Sequence, residues 1–388
     1  MISIKEALKL VQSQNIKTTP VEKELSSALG YHLAETITAP FSMPDFNNSA
    51  MDGYAVCGIY ENYHIVGEVA AGSTVDHALE DGQAIRIFTG GKVPENTTAV
   101  VMQEKTSAED KQLTIIGEIK AGQNIRAIGD ELKKGQEVFT TGHYINAASL
   151  GMLASLGKTM VKVYEKPTIK LITTGNELIM PGQERKKGQI YESNSHALCG
   201  ALLEQGFNCC EKQQIEDNFE LIKSGISSYL EQTDVLLLSG GISVGDYDYV
   251  KEALEENGVK EIYYKVFQKP GKPLYFGRKG DKFVFALPGN PASSLSCFYI
   301  HVLPLLQRLS GGKSDGLPKV NLPLTHHYEL KGDRPAFLKA SVKNSEVTIL
   351  DGQMSSMIRS MAIGNALVYI PEPKKIERGE KVQCLLIS

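Results

Sequence analysis

Three stretches of the chain carry residue types and spacings suited to chemistry on an anion. In "LPGNPASS", Gly289 follows Pro288 where a tight turn is needed, Asn290 stands where it can cap a helix, and Pro291 takes the first helical position. The amides of Ala292, Ser293 and Ser294 are then without intrahelical acceptors. Such a helix start suits a phosphate, and it suits equally a plain capped helix with no ligand. In "QKPGKPLYFG", Pro270 and Pro273 stiffen a segment that presents Lys269 and Lys272, a pair fit for an oxyanion or simply for solvent.

Carboxylates gather near glycine-rich loops. "TTGNEL" contains Thr173, Thr174, Gly175 and Glu177, and "SGGISVGDYDY" contains Ser239, Gly240, Gly241, Ser243, Asp246 and Asp248, while Asp217 follows another segment. Oxygen ligands of this kind suit magnesium, which takes a few carboxylates together with water and substrate phosphate. Asp246 or Asp248 taken singly reads as a helix cap. In "NNSAMDGYAV" the lone carboxylate of Asp52 lies among turn-forming residues, which a turn explains as readily as a site does. There is no HExxH, GxSxG, Walker A or GxGxxG pattern, and His326-His327 is most simply a surface pair.

The elements that must hold these loops follow from periodicity. Ser3 and Glu6 form a capping box for a helix whose buried face is Ile4, Ala7, Leu8 and Val11. Thr19, Pro20 and Glu22 read as a second helix start ending at Gly30. From about Tyr31 to Thr140, short apolar runs such as "HIVGEVA", "QAIRIFTGG", "TAVVMQE" and "LTIIGEI" alternate with turns, which predicts a β-rich region. After "EKP", strands "TIKLITTG", "DVLLLSGG" and "KFVFALPGN" alternate with helices around "SHALCGALLEQG", "YVKEALEENG" and "ASSLSCFYIHVLPLLQRL". That order predicts an α/β domain with a doubly wound, mostly parallel sheet, whose ligands bind beyond the carboxyl ends of the strands. "SGGKSDGLP" reads as a linker, and "YEL", "AFLKASV", "EVTIL", "ALVYI" and "KVQCLLI" predict a small C-terminal β domain.

Composition bounds the partners. The 388 residues exceed one ordinary core, and the formal charge of -4 argues against general binding to nucleic acid or an anionic membrane. Any anion site must be local. The first residues interleave Lys5, Glu6 and Lys9 with apolar positions, so they form neither a signal peptide nor a membrane span. Six cysteines without a CxxC pair are expected to be reduced thiols of a cytoplasmic protein.

Taken in order, "NNSAMDGYAV", "RIFTGGKVP", "AVVMQE", "TTGNEL", "GGISVGDYDY", "KPGKP" and "LPGNPASS" resemble the molybdopterin molybdenumtransferases, the MoeA and gephyrin E-domain family, over essentially the whole chain. The resemblance implies insertion of molybdate into adenylated molybdopterin with release of AMP, dependent on Mg2+ or another divalent metal, to form molybdenum cofactor. It implies a cytoplasmic homodimer in which the β-rich domain of the partner subunit closes the cleft. Transient contact with the molybdopterin adenylyltransferase and with acceptor molybdoenzymes follows from the same likeness.

It also divides the chain. Residues 1–22 form a helix packed on the molybdopterin-binding domain, 23–42 and 139–165 a connecting or dimerisation domain, and 43–138 a β-rich domain. Residues 166–313 form the molybdopterin-binding α/β domain and 314–388 a C-terminal β-barrel domain.

Carried over position by position, the resemblance implies catalytic roles for Asp52, Thr89, Glu177, Asp217 and Asp248, and metal ligation by Glu177, Asp246 and Asp248. Substrate binding falls to Lys269, Lys272, Ser239, Gly240, Gly241, Pro288, Gly289, Asn290, Pro291, Ser293 and Arg334, the last in "GDRPAF". Three positions depart from the family pattern: Asn47 where an aspartate is usual, Glu131 in place of a shorter carboxylate, and Pro335 after Arg334. The α/β domain alone also resembles the adenylyltransferase that makes the adenylated pterin, but the "SAMDGYA" segment and the C-terminal β domain favour the transferase. A scaffold that binds receptor peptides, as in the gephyrin branch, is the alternative of another class.

Overall fold

The capping box forms at the start of the chain: the Glu6 amide donates to Ser3 Oγ at 3.2 Å, and the Ser3 amide donates to Glu6 Oε2 at 2.8 Å. The helix Ile4–Gln12 that follows buries Ile4, Ala7 and Val11. Carbonyls at and just past its end find a donor far along the chain, since Arg308 donates to Val11 O at 2.8 Å and to Gln14 O at 3.1 Å. A C-terminal helix end is thereby satisfied by a cation, as its dipole favours.

The computed structural model describes residues 1–73, 78–208, 211–242, 249–313 and 316–387. Its contacts separate two units, one of Met1–Ala34, Gly142–Asn146 and Met160–Ser388, the other of Glu35–Thr141 and Ala147–Thr159.

In the first unit the expected second helix is instead a strand. Pro20–Glu24 pairs antiparallel with Met160–Tyr164, from Pro20↔Tyr164 to Glu24↔Met160, and only Leu25–Ser27 makes a single tight helical turn. The segment is too short to bury a helical face, whereas its alternation supports a five-residue ladder, and a proline is tolerated at a strand's first position.

The core of this unit is a six-stranded sheet. Lys212–Ile215, Ile169–Thr174, Val235–Ser239 and Lys282–Leu287 run parallel in that spatial order, and Tyr275–Lys279 and Lys260–Tyr264 continue it antiparallel. The three expected strands are all central, and apart from Lys282 at the start of the third they are buried throughout, as strands covered on both faces should be. The parallel edge strand, the antiparallel pair and the helix Phe219–Glu231 were not legible beforehand, because the strands are short or polar.

Beyond it, Lys319–Pro323, Lys381–Leu386, Ala366–Ile370, Ala336–Lys343 and Glu346–Ile349 form an antiparallel sheet in that order. Leu324 bridges Val347, which draws the first strand toward the last and closes the small β-barrel around Leu338, Val368 and Ile376.

The second unit is built on another six-stranded sheet, in the order Ala99–Met102, Gly53–Val56, Gln83–Ile87, Asn62–Val69, Gln112–Ile115 and Thr106–Glu109. Successive residues face opposite sides: Ala55, Ile85 and Val100 enter one core and Val56, Ala84 and Val101 the other. The helix Ala147–Ser155 belongs to this unit.

Among the described cysteines, one departs from expectation. Cys199 is disulfide-bonded, while Cys57, Cys297 and Cys384 are free thiols. Among the described residues, no helix is long and apolar enough to cross a membrane.

Candidate functional site

Parallel pairing decides where the glycine loops meet. Thr173 pairs with Ser239 and Ser239 with Leu287, so the carboxyl ends of three neighbouring strands coincide and their loops leave from one edge. These loops line a cavity of about 610 Å³ that contains Glu177, Asp217, Ser239, Gly240, Gly241 and the Pro288–Pro291 turn.

The glycines are required by close approach. A Cβ on Gly240 would lie 2.4 Å from Thr174 O, and one on Gly241 2.7 Å from Val250 Cγ2; both residues also have positive φ, +101° and +60°. Asn194, at the start of the helix Asn194–Glu204, ties two loops together by donating to Ser239 Oγ at 2.9 Å and to Gly289 O at 2.8 Å.

Among the described residues, two buried side-chain atoms at this cavity have no hydrogen-bond partner, Thr174 Oγ1 and Asn194 Oδ1. Thr174 is only 4% exposed, so its hydroxyl is a buried group whose desolvation is uncompensated unless a ligand answers it. Asp217 and Asn176 clasp each other reciprocally: the Asn176 amide donates to Asp217 Oδ2 at 3.2 Å and the Asp217 amide to Asn176 Oδ1 at 2.9 Å. That holds Asp217 beside the exposed Glu177.

The helix start differs from the sequence expectation. Asn290 sits at the N-cap, but its side chain makes no capping hydrogen bond; its side-chain amide donates instead to Ser355 Oγ at 3.0 Å. Nor are three amides free, because Ala292 donates to Ser355 O at 3.1 Å and Ser294 to Asn290 O at 2.9 Å. A loop of the C-terminal β region therefore occupies part of the helix start, and Ser356 from that loop lines the cavity. Ser293 is buried at 2% exposure.

That loop is held by Lys339, whose buried ammonium donates to Met354 O at 2.9 Å, Met357 O at 3.0 Å and also Gly352 O. Burial lowers its pKa.

Lys269 and Lys272 are exposed on the turn that leads to Pro273, itself a wall of the cavity, but neither lysine lines the cavity. Arg334 joins them through the backbone, donating to Gln268 O at 3.1 Å. Pro335, one of the departures, accepts the Lys269 amide at 2.9 Å. Asp246, Asp248 and Ser243 lie outside the described residues.

In the second unit Asp52 and Thr89 come together. Gly53 pairs with Ile87, so Asp52 precedes one strand and Thr89 follows its antiparallel neighbour at the same edge. Gly53 is forced there, since a Cβ would lie 1.9 Å from Val101 O. Ser49 makes the turn, accepting the Met51 amide and donating to Met51 O at 2.6 Å, which leaves the Asp52 carboxylate for Thr89. The Thr89 amide and hydroxyl donate to Asp52 Oδ1 at 2.7 and 2.8 Å. These bonds, with Arg86 adding a little, lower the Asp52 pKa. Of the other departures, Asn47 Oδ1 accepts the Ile128 amide at 3.0 Å, and Glu131 lines an open hollow with Asp45, Arg126 and Asp130.

Three family models match the chain in succession. They describe the MoeA N-terminal region (domain I and II) over residues 2–157, a probable molybdopterin binding domain over 170–308, and the MoeA C-terminal region (domain IV) over 321–387. A molybdopterin molybdenumtransferase of Staphylococcus epidermidis is 30% identical over 388 residues, covering 95% of this chain and 91% of that protein. The chain belongs to the MoeA family.

Another molybdopterin molybdenumtransferase, from Haemophilus influenzae, is 36% identical over 312 residues, 79% of this chain and 76% of its own. The crystal structure of the molybdopterin biosynthesis MoeA protein of Pyrococcus horikoshii OT3 superposes with a TM-score of 0.85 at 29% identity, covering 100% of both chains. In this MoeA chain the cavity falls within the stretch matched as molybdopterin binding, except for Ser356.

Sequence reasoning missed Thr174 as a ligand group, Asn194, Ser355, Ser356 and Lys339. Only Thr174 had a signal, its place at the end of a central strand. The others act across long sequence separations that no local pattern reports.

Proposed function

We propose that this chain inserts molybdate into adenylated molybdopterin and releases AMP, forming molybdenum cofactor. The observation that carries the reading is the cavity of about 610 Å³ at the carboxyl ends of three parallel strands, with two polar atoms unsatisfied among the described residues and three carboxylates, Glu177, Glu192 and Asp217, on its wall. A phosphorylated, hydrogen-bonding ligand answers both features.

Ser239, Gly240, Gly241 and the turn Pro288, Gly289, Asn290, Pro291, with Ser293 behind it, hold the phosphate end. Lys269, Lys272 and Arg334 supply cations to the oxygens of molybdate, an oxyanion that needs such donors. Glu177, Asp217 and Asp248 serve the adenylate cleavage, and Asp52 with Thr89 contributes a carboxylate kept ionised. The dithiolene sulfurs of the pterin, not protein thiols, take the molybdenum.

Among the described residues no group of three or more His, Cys, Asp or Glu side chains is placed to hold a metal. Magnesium takes a few carboxylates together with water and substrate phosphate, and Glu177 with Asp246 and Asp248 would hold it. A divalent ion there would neutralise phosphate charge.

We take the working form to be a cytoplasmic homodimer, with the division of the chain at 22, 42, 138, 165 and 313 as the resemblance implies. Transient contact with the adenylyltransferase and with acceptor molybdoenzymes belongs to the same reading. The test is a single-turnover assay with adenylated molybdopterin, magnesium and molybdate, following AMP and the activation of an apo-molybdoenzyme. Molybdate-dependent AMP release with active enzyme formed supports the reading; neither product appearing sinks it.

A further inference from the structure

Three cations, the exposed Lys269 and Lys272 and the half-buried Arg334, lead back to one buried side chain. Gln268 has no exposed surface, and its Nε2 lies 3.1 Å from Pro270 O, 3.3 Å from Gly271 O and 3.5 Å from Cys297 Sγ. Its own carbonyl accepts Arg334 Nη1 at 3.1 Å. The two residues between the lysines are thus gripped by the Gln268 amide, and the arginine by the Gln268 backbone. Gly271 fits tightly in that grip, with φ +86° and a hypothetical Cβ 2.2 Å from Cys297 Sγ.

The grip is oriented from behind. Gln268 Oε1 is 2.9 Å from His301 Nε2, and His301 Nδ1 is 3.4 Å from Tyr263 Oη. His301 is fully buried in the π-helical turn Phe298–Val302, and Tyr263 is 3% exposed. Facing three acceptors, the amide of Gln268 must present its nitrogen to the turn and its oxygen to the histidine. His301 then donates from Nε2 and accepts from Tyr263 at Nδ1, so the chain Tyr263, His301, Gln268, turn carbonyls has a single direction. Its outer end is the turn that carries the exposed Lys269 and Lys272.

We infer that Gln268, oriented by His301, is the positioning residue that fixes the spacing of Lys269, Lys272 and Arg334 and so sets the affinity and size selectivity for a tetrahedral oxyanion. The inference rests on the proposed function in taking molybdate as that oxyanion. A slack turn leaves the same charges in place but blunts the discrimination between molybdate and the smaller sulfate.

The experiment measures equilibrium binding of molybdate and of sulfate to the full chain, together with KM for molybdate and for adenylated molybdopterin. It compares the wild type with Gln268→Leu/His301→Leu and with His301→Gln. The double variant removes the Gln268 and His301 donors together but strands the Tyr263 hydroxyl and the Pro270 and Gly271 carbonyls, so its folding is checked first by circular dichroism and urea unfolding. It should bind molybdate at least about tenfold more weakly and lose its preference over sulfate, with KM for the pterin substrate unchanged. His301→Gln keeps an N–H toward Gln268 and should stay within about threefold of wild type.

A folded double variant with wild-type molybdate affinity and selectivity overturns the inference while leaving the proposed function intact. A wild type that binds no molybdate overturns both. If the double variant does not fold, His301→Leu against His301→Gln decides, and equal molybdate affinity in those two also overturns the positioning role.

Discussion

One carboxylate oxygen, Asp52 Oδ1, accepts both the amide and the hydroxyl of Thr89. Two donors on one oxygen favour the ionised form, and the Asp52 pKa is accordingly lowered. A carboxyl depressed in the fold adds stability that is present above its unfolded pKa and is lost as pH falls through the folded one.

Thr89→Val removes the hydroxyl and keeps the amide. The Asp52 carboxyl should therefore rise part of the way toward the ordinary aspartate range, as read by NMR titration of the side-chain carboxyl. Asp52→Ala should abolish molybdate-dependent AMP release with the fold retained, because the residue is exposed and its loss opens no cavity. An unmoved titration in Thr89→Val would show that the amide alone sets the pKa.

The sheet that builds the cavity was legible because its strands are buried on both faces and read as unbroken apolar runs, as "VLLLS" does. The loop residues followed from glycine and proline, whose backbone constraints are local. The segment Pro20–Glu24 misled because a capping-box pattern and an alternating strand pattern coexist in "TPVEKE", and only pairing with Met160–Tyr164 decides between them. The occupied amide at Ala292 was illegible for the same reason: its acceptor, Ser355 O, lies 63 positions away in sequence, placed there by the C-terminal β region.

Two glycines of the cavity should respond oppositely to a methyl group. Gly240→Ala forces a Cβ to 2.4 Å from Thr174 O at φ +101°, a clash with backbone that cannot move aside. A loss of roughly 1–3 kcal/mol is expected, with loss of nucleotide binding. Gly289→Ala meets only Gly240 Cα, at 3.6 Å, an ordinary contact, so its stability should stay within about 0.5 kcal/mol of wild type. Urea unfolding of the two variants, beside AMP binding, checks the contrast.

Lys339 anchors the loop that covers the helix start. Lys339→Met should leave three carbonyls without their shared donor and cost roughly 2–4 kcal/mol. Because Ser355 then loses its support, cleavage within 351–358 by a nonspecific protease should speed up relative to the rest of the chain. Unchanged cleavage would mean that Ser360 and Gln353 hold the loop by themselves.

His301 gives the chain a stability slope in mild acid. Burial pushes its pKa down to about 3, against 6.5 for the free side chain. The folded protein therefore keeps it neutral where the unfolded chain takes up a proton. Below pH about 6.5 the unfolded state binds more protons through this residue, so stability falls as pH drops and the contribution levels off only near pH 3. His301→Gln retains a donor for Gln268 Oε1 but does not titrate. Its urea midpoint should match wild type near pH 8 and fall less steeply between pH 6.5 and 4, because the proton taken up on unfolding is gone. Equal slopes in the two proteins would mean that His301 is already charged in the fold, which a donor at Nδ1 facing the Tyr263 hydroxyl could satisfy only by reversing that hydrogen bond.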